Sequence, residues 1–285
     1  MNPRPCVLGV IGGSGLYDVP EIEVLEELHV TTPFGTPSSP VVKGRLGKRE
    51  VYFLARHGKG HVFTPTEVPY RANVWALKSL GVNTLLSVSA VGSLKEEIAP
   101  GHLVVPDQLI DRTRGIRPST FFGDGVVAHV ALADPYCADL SNLLAQAARS
   151  AGAVVHQGGT LVVMEGPQFS TRAESFLYRG LGASLIGMTA MPEAKLAREA
   201  SLCYATLALA TDYDCWHETH ESVSVEGVFL VMKGNNVKAR NTLLALIPML
   251  GERTCHCGAA LETAVVTHPS FIPPETRKKL ALLLD

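Results

Sequence analysis

Short runs rich in β-branched residues alternate with amphipathic stretches along the whole chain, and no Ser/Gly/Pro-rich linker, charge block or internal repeat divides it. That alternation restricts the fold more than any other feature. Apolar runs of strand length interleaved with stretches of helical period can bury their faces only as a sheet covered by helices. Residues 1–285 therefore read as a single α/β domain. The first strand is expected at 6–11, running into a glycine loop of Gly12, Gly13, Ser14 and Gly15. Residues 41–46 and 50–55 flank Gly47 and Lys48 as an antiparallel hairpin, so the twisted sheet should be mixed rather than purely parallel. Further strands are expected at 82–89, 103–105, 184–188 and 202–211.

The helices announce themselves by their caps. Thr64, Pro65 and Glu67 form a capping-box pattern, which predicts a helix through Ala72, Trp75, Ala76 and Leu80 as far as Gly81. Asp134 and Pro135 predict another, with Leu140, Leu143, Leu144, Ala147 and Ala148 on its apolar face and Gly152 as its stop. Thr171 with Glu174 predicts a third, and others are expected near Pro192, Val225 and Pro274. The segment 112–127, rich in turn residues, reads as a long functional loop.

Charge and composition exclude several classes of partner. Lys plus Arg total 25 and Asp plus Glu 27, a net charge of −2, so there is no basic excess with which to displace counterions from nucleic acid. The longest apolar run, 202–210, falls short of the roughly 20 residues a membrane helix needs. No membrane association is expected. The amino terminus lacks the pattern of a secretory signal, and six cysteines in 285 residues are too few for a disulfide scaffold, so a cytoplasmic protein with reduced thiols is expected. Cys255 and Cys257 flank His256, but His217 and His220 offer no recognisable zinc-finger spacing to them, and no metal site is expected.

Several residues could carry chemistry. A glycine-rich turn after a strand lets backbone N–H groups approach an anion, and Ser14 adds a hydroxyl. The loop has neither dinucleotide-binding nor P-loop spacing, and by itself it could be a plain tight turn. Arg56 and His57 at a strand end would supply positive charge to a phosphate, Arg56 more strongly. Ser89 and Ala90 end one expected strand and Thr189 follows another, and strand ends are where open α/β sheets bind ligands. Asp212 and Asp214 occupy alternate positions, so if the strand continues both carboxylates face one side. By spacing alone they are a helix cap and a surface acid. In a pocket, one acid kept protonated by its neighbour and by burial could donate to a leaving group.

The segments GGSGL, ARHG, SAVGS, MEGPQFSTRAES, GMTAMPE and TDYDCW follow one another in this order. In that order the chain resembles the methylthioadenosine phosphorylases of the purine nucleoside phosphorylase superfamily, from residue 10 to about residue 250. GPQFSTRAES and TDYDCW are the specific parts of the match. The resemblance implies the nucleoside phosphorylase fold, no metal or organic cofactor, inorganic phosphate as co-substrate, and a homotrimer, with a dimer of trimers left open. It implies that Ser14, Arg56, His57, Ser89, Ala90 and Thr189 bind phosphate while Met188 packs under the ribose. Phe169 would lie against the purine, and Asp212 with Ser170 would address its N7 edge. Asp214 would accept from the 6-amino group or share the N7 proton, so the catalytic roles of the two acids stay undivided.

By the same resemblance Val225, Val228 and Phe229 form a slot for the methylthio group, with His129 contributed by a neighbouring subunit. Taken by themselves those three would be core residues. Ser14 and Ser89 stand where eukaryotic members have threonine, and Phe229 where they have leucine. The Cys-x-Cys at 255–257 is similar to that of thermophilic members, whose cysteines form disulfides, which leaves the state of Cys137, Cys203, Cys255 and Cys257 open.

Four rival readings compete. A purine nucleoside phosphorylase acting on 6-oxopurines would present an amide to the base. Carboxylates there set lone pairs against lone pairs, costing about 1–3 kcal/mol. A methylthioinosine phosphorylase would keep the apolar slot. A nucleoside sensor would have little use for an anion site beside paired acids. A metal-dependent hydrolase built on His57 and His61, or on His217 and His220, would lack an acid at the usual spacing.

Overall fold

The computed structural model describes residues 5–13, 22–113, 115–219, 223–252 and 255–285. In chain order the strands and helices are β1 (Leu8–Gly12), β2 (Ile22–Leu28), β3 (Val41–Leu46), β4 (Arg49–Ala55), α1 (Tyr70–Ser79), β5 (Thr84–Ser93), β6 (Leu103–Val105), β7 (Gln108–Asp111), α2 (Ala138–Ser150), β8 (Val155–Gln157), β9 (Thr160–Val163), α3 (Arg172–Gly180), β10 (Leu185–Gly187), α4 (Ala190–Glu199), β11 (Cys203–Asp212), α5 (Val225–Leu246) and α6 (Pro274–Leu284). All eleven strands join one mixed sheet.

The centre of the sheet is parallel. β1 lies between β4 and β5, and β5 carries β11 on its other side, all four running the same way. Buried on both faces, such strands read as continuous apolar runs, as in the sequence of β11. Successive residues of β11 nevertheless serve different faces. Tyr204, Ala208 and Ala210 enter the cluster that holds Val74 and Trp75 of α1 and Leu196 of α4. Cys203, Ala205, Leu207 and Leu209 enter the cluster that holds Leu140 and Leu144 of α2 and Leu243 of α5. The sheet is thus sandwiched between α1 and α4 on one face and α2 and α5 on the other. Antiparallel pairs sit outside this centre, at β2–β3–β4, β6–β11 and β5–β10.

The expected α/β fold with a mixed sheet is present, and so is the hairpin of β3 and β4. Differences lie in the boundaries. Thr64 and Glu67 do bond reciprocally, with the Thr64 N–H 3.0 Å from Glu67 Oε2, but they close a turn and α1 begins only at Tyr70. Pro69 is the reason: it has no N–H to donate and steers Val68 away from helical geometry. α2 begins at Ala138 rather than at Asp134. β5 extends to Ser93, past the expected end at 89, because β10 and β11 pair with its last residues. Four strands, β2 and the short β7, β8 and β9, have no counterpart in the sequence reading. β2 is an edge strand exposed along most of its length, which leaves no apolar alternation to detect.

Candidate active site

A cavity of about 470 Å³ opens where β1, β4 and β11 end, along the second half of β5, and the first turns of α5 form one of its walls. This is the crevice at the carboxyl ends of parallel strands where α/β sheets bind ligands.

One end of the cavity holds Arg56. Its backbone N–H donates to Gly12 O at 3.0 Å, and its guanidinium turns inward until the side chain is 1% exposed. Nε donates to Glu193 Oε2 at 2.9 Å, and Nη2 lies 3.2 Å from Glu193 Oε1. Nη2 also meets Ser87 Oγ at 2.8 Å and Ile11 O at 3.2 Å, and Nη1 donates to Val88 O at 3.0 Å. Tyr204 fixes the carboxylate in turn, its hydroxyl donating to Glu193 Oε1 at 3.0 Å. Burial alone would lower the pKa of Arg56, but the Glu193 carboxylate raises it above the ordinary arginine value. A guanidinium carries five N–H groups, and one on Nη1 has no partner among the described residues. The arginine that sequence reading offered to an anion is largely committed within the protein, to Glu193, Ser87, Val88 and Ile11.

His57 differs more. Its Nδ1 is 2.8 Å from Phe63 O, and a carbonyl only accepts, so Nδ1 carries the hydrogen and Nε2 the lone pair. The ring stacks on His61 with centroids 4.3 Å apart. Burial pushes its pKa down to about 4. His57 is therefore neutral near pH 7, correcting the expectation that it supplies positive charge. Ser89 and Ala90 line the cavity from within β5 rather than from its end. Thr189 is the N-cap residue of α4, but its side chain makes no capping bond, so the hydroxyl stays available to the cavity. Ser14 lies outside the described residues.

Farther along β5 stand the two acids. β11 has a bulge here: Ala210 pairs with Val91 and Asp212 with Gly92, leaving Thr211 as the extra residue. The strand stops at Asp212, and the chain turns so that the Asp214 N–H donates to Asp212 Oδ1 at 2.8 Å, with Asp214 at φ +52°. Both acids line the cavity, as expected, but an Asx turn brings them together rather than strand alternation. Thr211 Oγ1 lies 2.7 Å from Asp212 Oδ2 and 3.2 Å from Val91 O. Its single hydrogen can go to either acceptor, so the contact suits Asp212 charged or protonated. Burial raises the pKa of Asp212, against the Thr211 hydroxyl and the Asp214 N–H, and the Asp214 charge adds a smaller rise. Burial also raises Asp214, against the Ser175 and Ser170 hydroxyls. The loop is pinned by Trp216, whose Nε1 donates to Ser93 O at 2.8 Å beneath the guanidinium of Arg179.

Between these ends the lining is apolar. Met188 packs against Gly166, where a Cβ would come within 2.5 Å of its sulfur. Phe169 lines the rim and is 41% exposed. On α5, Val225, Val228 and Phe229 all face the cavity, and Val225 and Phe229 are 61% and 59% exposed. That exposure corrects the reading of these side chains as core. Ser170 does not line the cavity. Its hydroxyl is 3.5 Å from Met164 Sδ, and its carbonyl accepts from the Cys215 thiol. His129 is exposed and outside the cavity, its N–H donating to Ala264 O. A larger hollow, about 650 Å³, lies at the opposite ends of β1 and β4 and contains no pair of acids.

The chain matches the phosphorylase superfamily over residues 7–247. The chain belongs to that superfamily. Among its curated relatives, a protein of Chloroflexus aurantiacus is 57% identical, covering 97% of this chain and 96% of its own. One of Geobacter sulfurreducens is 54% identical over 98% of each chain. Both bear the name S-methyl-5′-thioadenosine phosphorylase. Among solved structures, a methylthioadenosine phosphorylase from an antarctic soil metagenomic library superposes with a TM-score of 0.93 at 46% identity, covering 99% of this chain and 100% of the other. A methylthioadenosine phosphorylase of Schistosoma mansoni in complex with adenine gives 0.83 at 37%, covering 98% of each chain.

In this member of the phosphorylase superfamily some supporting residues escaped sequence reading. Arg117, from the segment 112–127, is 5% exposed. It donates to Met188 O at 2.6 Å, Met191 O at 2.8 Å and Glu165 O at 2.6 Å. That segment is a strap, with Phe121 and Phe122 in the core beneath it. Gly92 sits under the acids, where a Cβ would stand 3.0 Å from Asp212 Oδ1 and 2.9 Å from Ile186. Neither residue carries a local signal, since only the fold brings their partners near.

Proposed function

We propose that residues 1–285 act as one catalytic domain for the phosphorolysis of S-methyl-5′-thioadenosine, giving adenine and 5-methylthioribose 1-phosphate. What carries the reading is the spacing of two unlike groups along β5. Arg56 is anchored at Val88 and Asp212 pairs with Gly92. Four residues of strand at ~3.3 Å each separate them by about 13 Å, a span suited to a phosphate and a nucleoside lying end to end. The names of the relatives point to the same substrate.

In this reading the free Nη1 hydrogen of Arg56, the hydroxyls of Ser14, Ser89 and Thr189, and the backbone at Ala90 hold phosphate. Neutral His57 accepts a hydrogen bond from a P–OH group at Nε2. Met188 supports the ribose and Phe169 covers the purine. As the C1′–N9 bond breaks, its electron pair moves into the purine, and a phosphate oxygen forms the new bond to C1′. Protonated Asp212 delivers a proton to N7 and recovers one from solvent after adenine leaves. Asp214 accepts from the 6-amino group. A raised carboxyl pKa suits a group that must hold its proton until the leaving group needs it.

Val225, Val228 and Phe229 receive the methylthio group. His129 joins them only from a second copy, which requires an oligomer; that this is the homotrimer is tested by native mass. The reaction requires inorganic phosphate and no metal or organic cofactor. No described helix is long and apolar enough to cross a membrane, in keeping with a cytoplasmic enzyme. The test is adenine release from methylthioadenosine, adenosine and hypoxanthine release from inosine, each with and without phosphate. Methylthioadenosine with phosphate should react fastest. Adenine release undiminished in phosphate-free buffer would overturn the reading.

A further inference from the structure

Four cysteines distant in sequence meet at the end of β11 away from the cavity. Cys137 is the N-cap residue of α2, Cys203 opens β11, and Cys255 and Cys257 bracket the start of a short 3₁₀ turn that follows α5. Their sulfurs all lie within 4.8 Å of one another, with Cys203 Sγ and Cys255 Sγ 3.1 Å apart. Cys137, Cys203 and Cys257 are buried and Cys255 is half-buried. Among the described residues no other group of three or more His, Cys, Asp or Glu side chains is gathered in this way. Sequence reading weighed only His217 and His220 as partners for Cys255 and Cys257, found no zinc-finger spacing, and expected no metal site. His217 lies 2.9 Å from Glu96, and His220 is outside the described residues.

We infer that the four cysteines bind one zinc ion, in a structural site that takes no part in the chemistry of the cavity. Zinc–thiolate bonds of ~2.3 Å arranged tetrahedrally put the sulfurs about 3.8 Å apart. The mutual approach of all four sulfurs meets that demand, whereas a disulfide needs only two. A set made wholly of soft thiolates selects zinc over magnesium or calcium. On binding, each thiol loses a proton to solvent as its sulfur–zinc bond forms, with no change of oxidation state. The backbone holds part of the site ready: the Cys137 N–H donates to Tyr204 O at 2.8 Å, next to Cys203, whose N–H donates to Asn83 O at 2.9 Å. Half-buried Cys255 gives the ion a way in from solvent.

Four ligands close the coordination sphere, leaving no position for substrate or water, and such sites contribute to folding rather than to reaction. Here the ion would clamp the segment after α5 to α2 and β11. Cys203 and Asp212 stand at opposite ends of β11, nine residues or about 30 Å apart.

The full-length protein, purified under reducing conditions from zinc-supplemented medium, should contain one zinc per chain by elemental analysis. After removal of the metal by a chelator with thiols kept reduced, cobalt(II) should bind one to one. It should give the sulfur-to-metal charge-transfer and visible bands of a tetrahedral tetrathiolate site. Cys137→Ser and Cys257→Ser should each lose that spectrum, whereas Cys6→Ser, outside the cluster, should keep it. The metal-free protein should melt at a lower temperature than the zinc form. Failure of the reduced wild-type chain to bind cobalt or zinc stoichiometrically overturns the inference, and this holds whether or not the variants fold. So does a mass four hydrogens lower with no metal retained under these conditions.

Discussion

Arg56 Nε and Glu193 Oε2 lie 2.9 Å apart with both side chains 1% exposed, an ion pair wholly removed from water that joins the end of β4 to α4. A buried pair of this kind adds little net stability over an apolar pair of the same shape, but removing one partner strands the other charge. Arg56→Ala should therefore cost about 3–5 kcal/mol in urea unfolding, in addition to any loss of phosphate affinity. Replacing both residues together, Arg56→Met with Glu193→Leu, should recover much of that loss. A single-variant cost under ~1 kcal/mol would show that water reaches the pair.

His57 makes stability depend on pH. Its folded value of about 4 is below the ordinary 6.5, so between those limits the unfolded chain takes up a proton that the folded chain refuses. Its contribution is intact above 6.5 and is lost as pH falls toward 4. Asp212, Asp214 and Glu199, whose values are raised, act in the opposite sense, so the comparison must be with a variant. Between pH 7 and pH 5 the wild type should lose on the order of 2 kcal/mol more than His57→Asn. Parallel stability curves for the two proteins would mean that His57 titrates normally.

For the acid pair, Asp212→Asn keeps a hydrogen-bonding group but cannot deliver a proton. On methylthioadenosine kcat should fall by about 10²- to 10⁴-fold with the phosphate requirement little changed. Because an amide can donate to a 6-oxo group, inosine should gain relative to adenosine. Should Asp214→Asn lose kcat while Asp212→Asn retains it, the two roles are exchanged.

Gly92→Ala probes the same acid without touching it. The added methyl would stand 3.0 Å from Asp212 Oδ1 and 2.9 Å from Ile186, tighter than ordinary contact, so Asp212 must shift. A displacement of that kind can cost on the order of 10²-fold in rate. Full kcat in a folded Gly92→Ala protein would show that the acid tolerates movement.

The exposed wall of α5 predicts substrate preference. Adenosine would bring a 5′-hydroxyl against Val225, Val228 and Phe229, where it loses hydration and gains no partner. That costs about 1–3 kcal/mol, so methylthioadenosine should be favoured roughly ten- to a hundredfold in kcat/KM. Equal use of both nucleosides would remove the slot.

What the sequence determined by itself was whatever depends on neighbours a few residues apart. The Thr171–Glu174 capping box caps α3 as read, because a cap is closed by groups three positions apart. The β3–β4 hairpin and the apolar run of β11 were legible for the same reason, and so was the order of the motifs; the end of β5 was not, since β10 and β11 carry it on past Ser89 and Ala90 to Ser93. Tertiary structure decided the rest. Asp212 and Asp214 reached one cavity, yet by a bulge and a turn, since pairing with Gly92 ends the strand alternation that the spacing suggested. Arg56 met Glu193 across 137 positions, and Cys137 met Cys203, Cys255 and Cys257. No local pattern encodes such meetings, because partners at that separation are chosen by the register of the sheet and by the face each helix covers. Burial then altered the chemistry of what had met, keeping His57 neutral well below its ordinary pKa of 6.5 and raising the pKa of both acids.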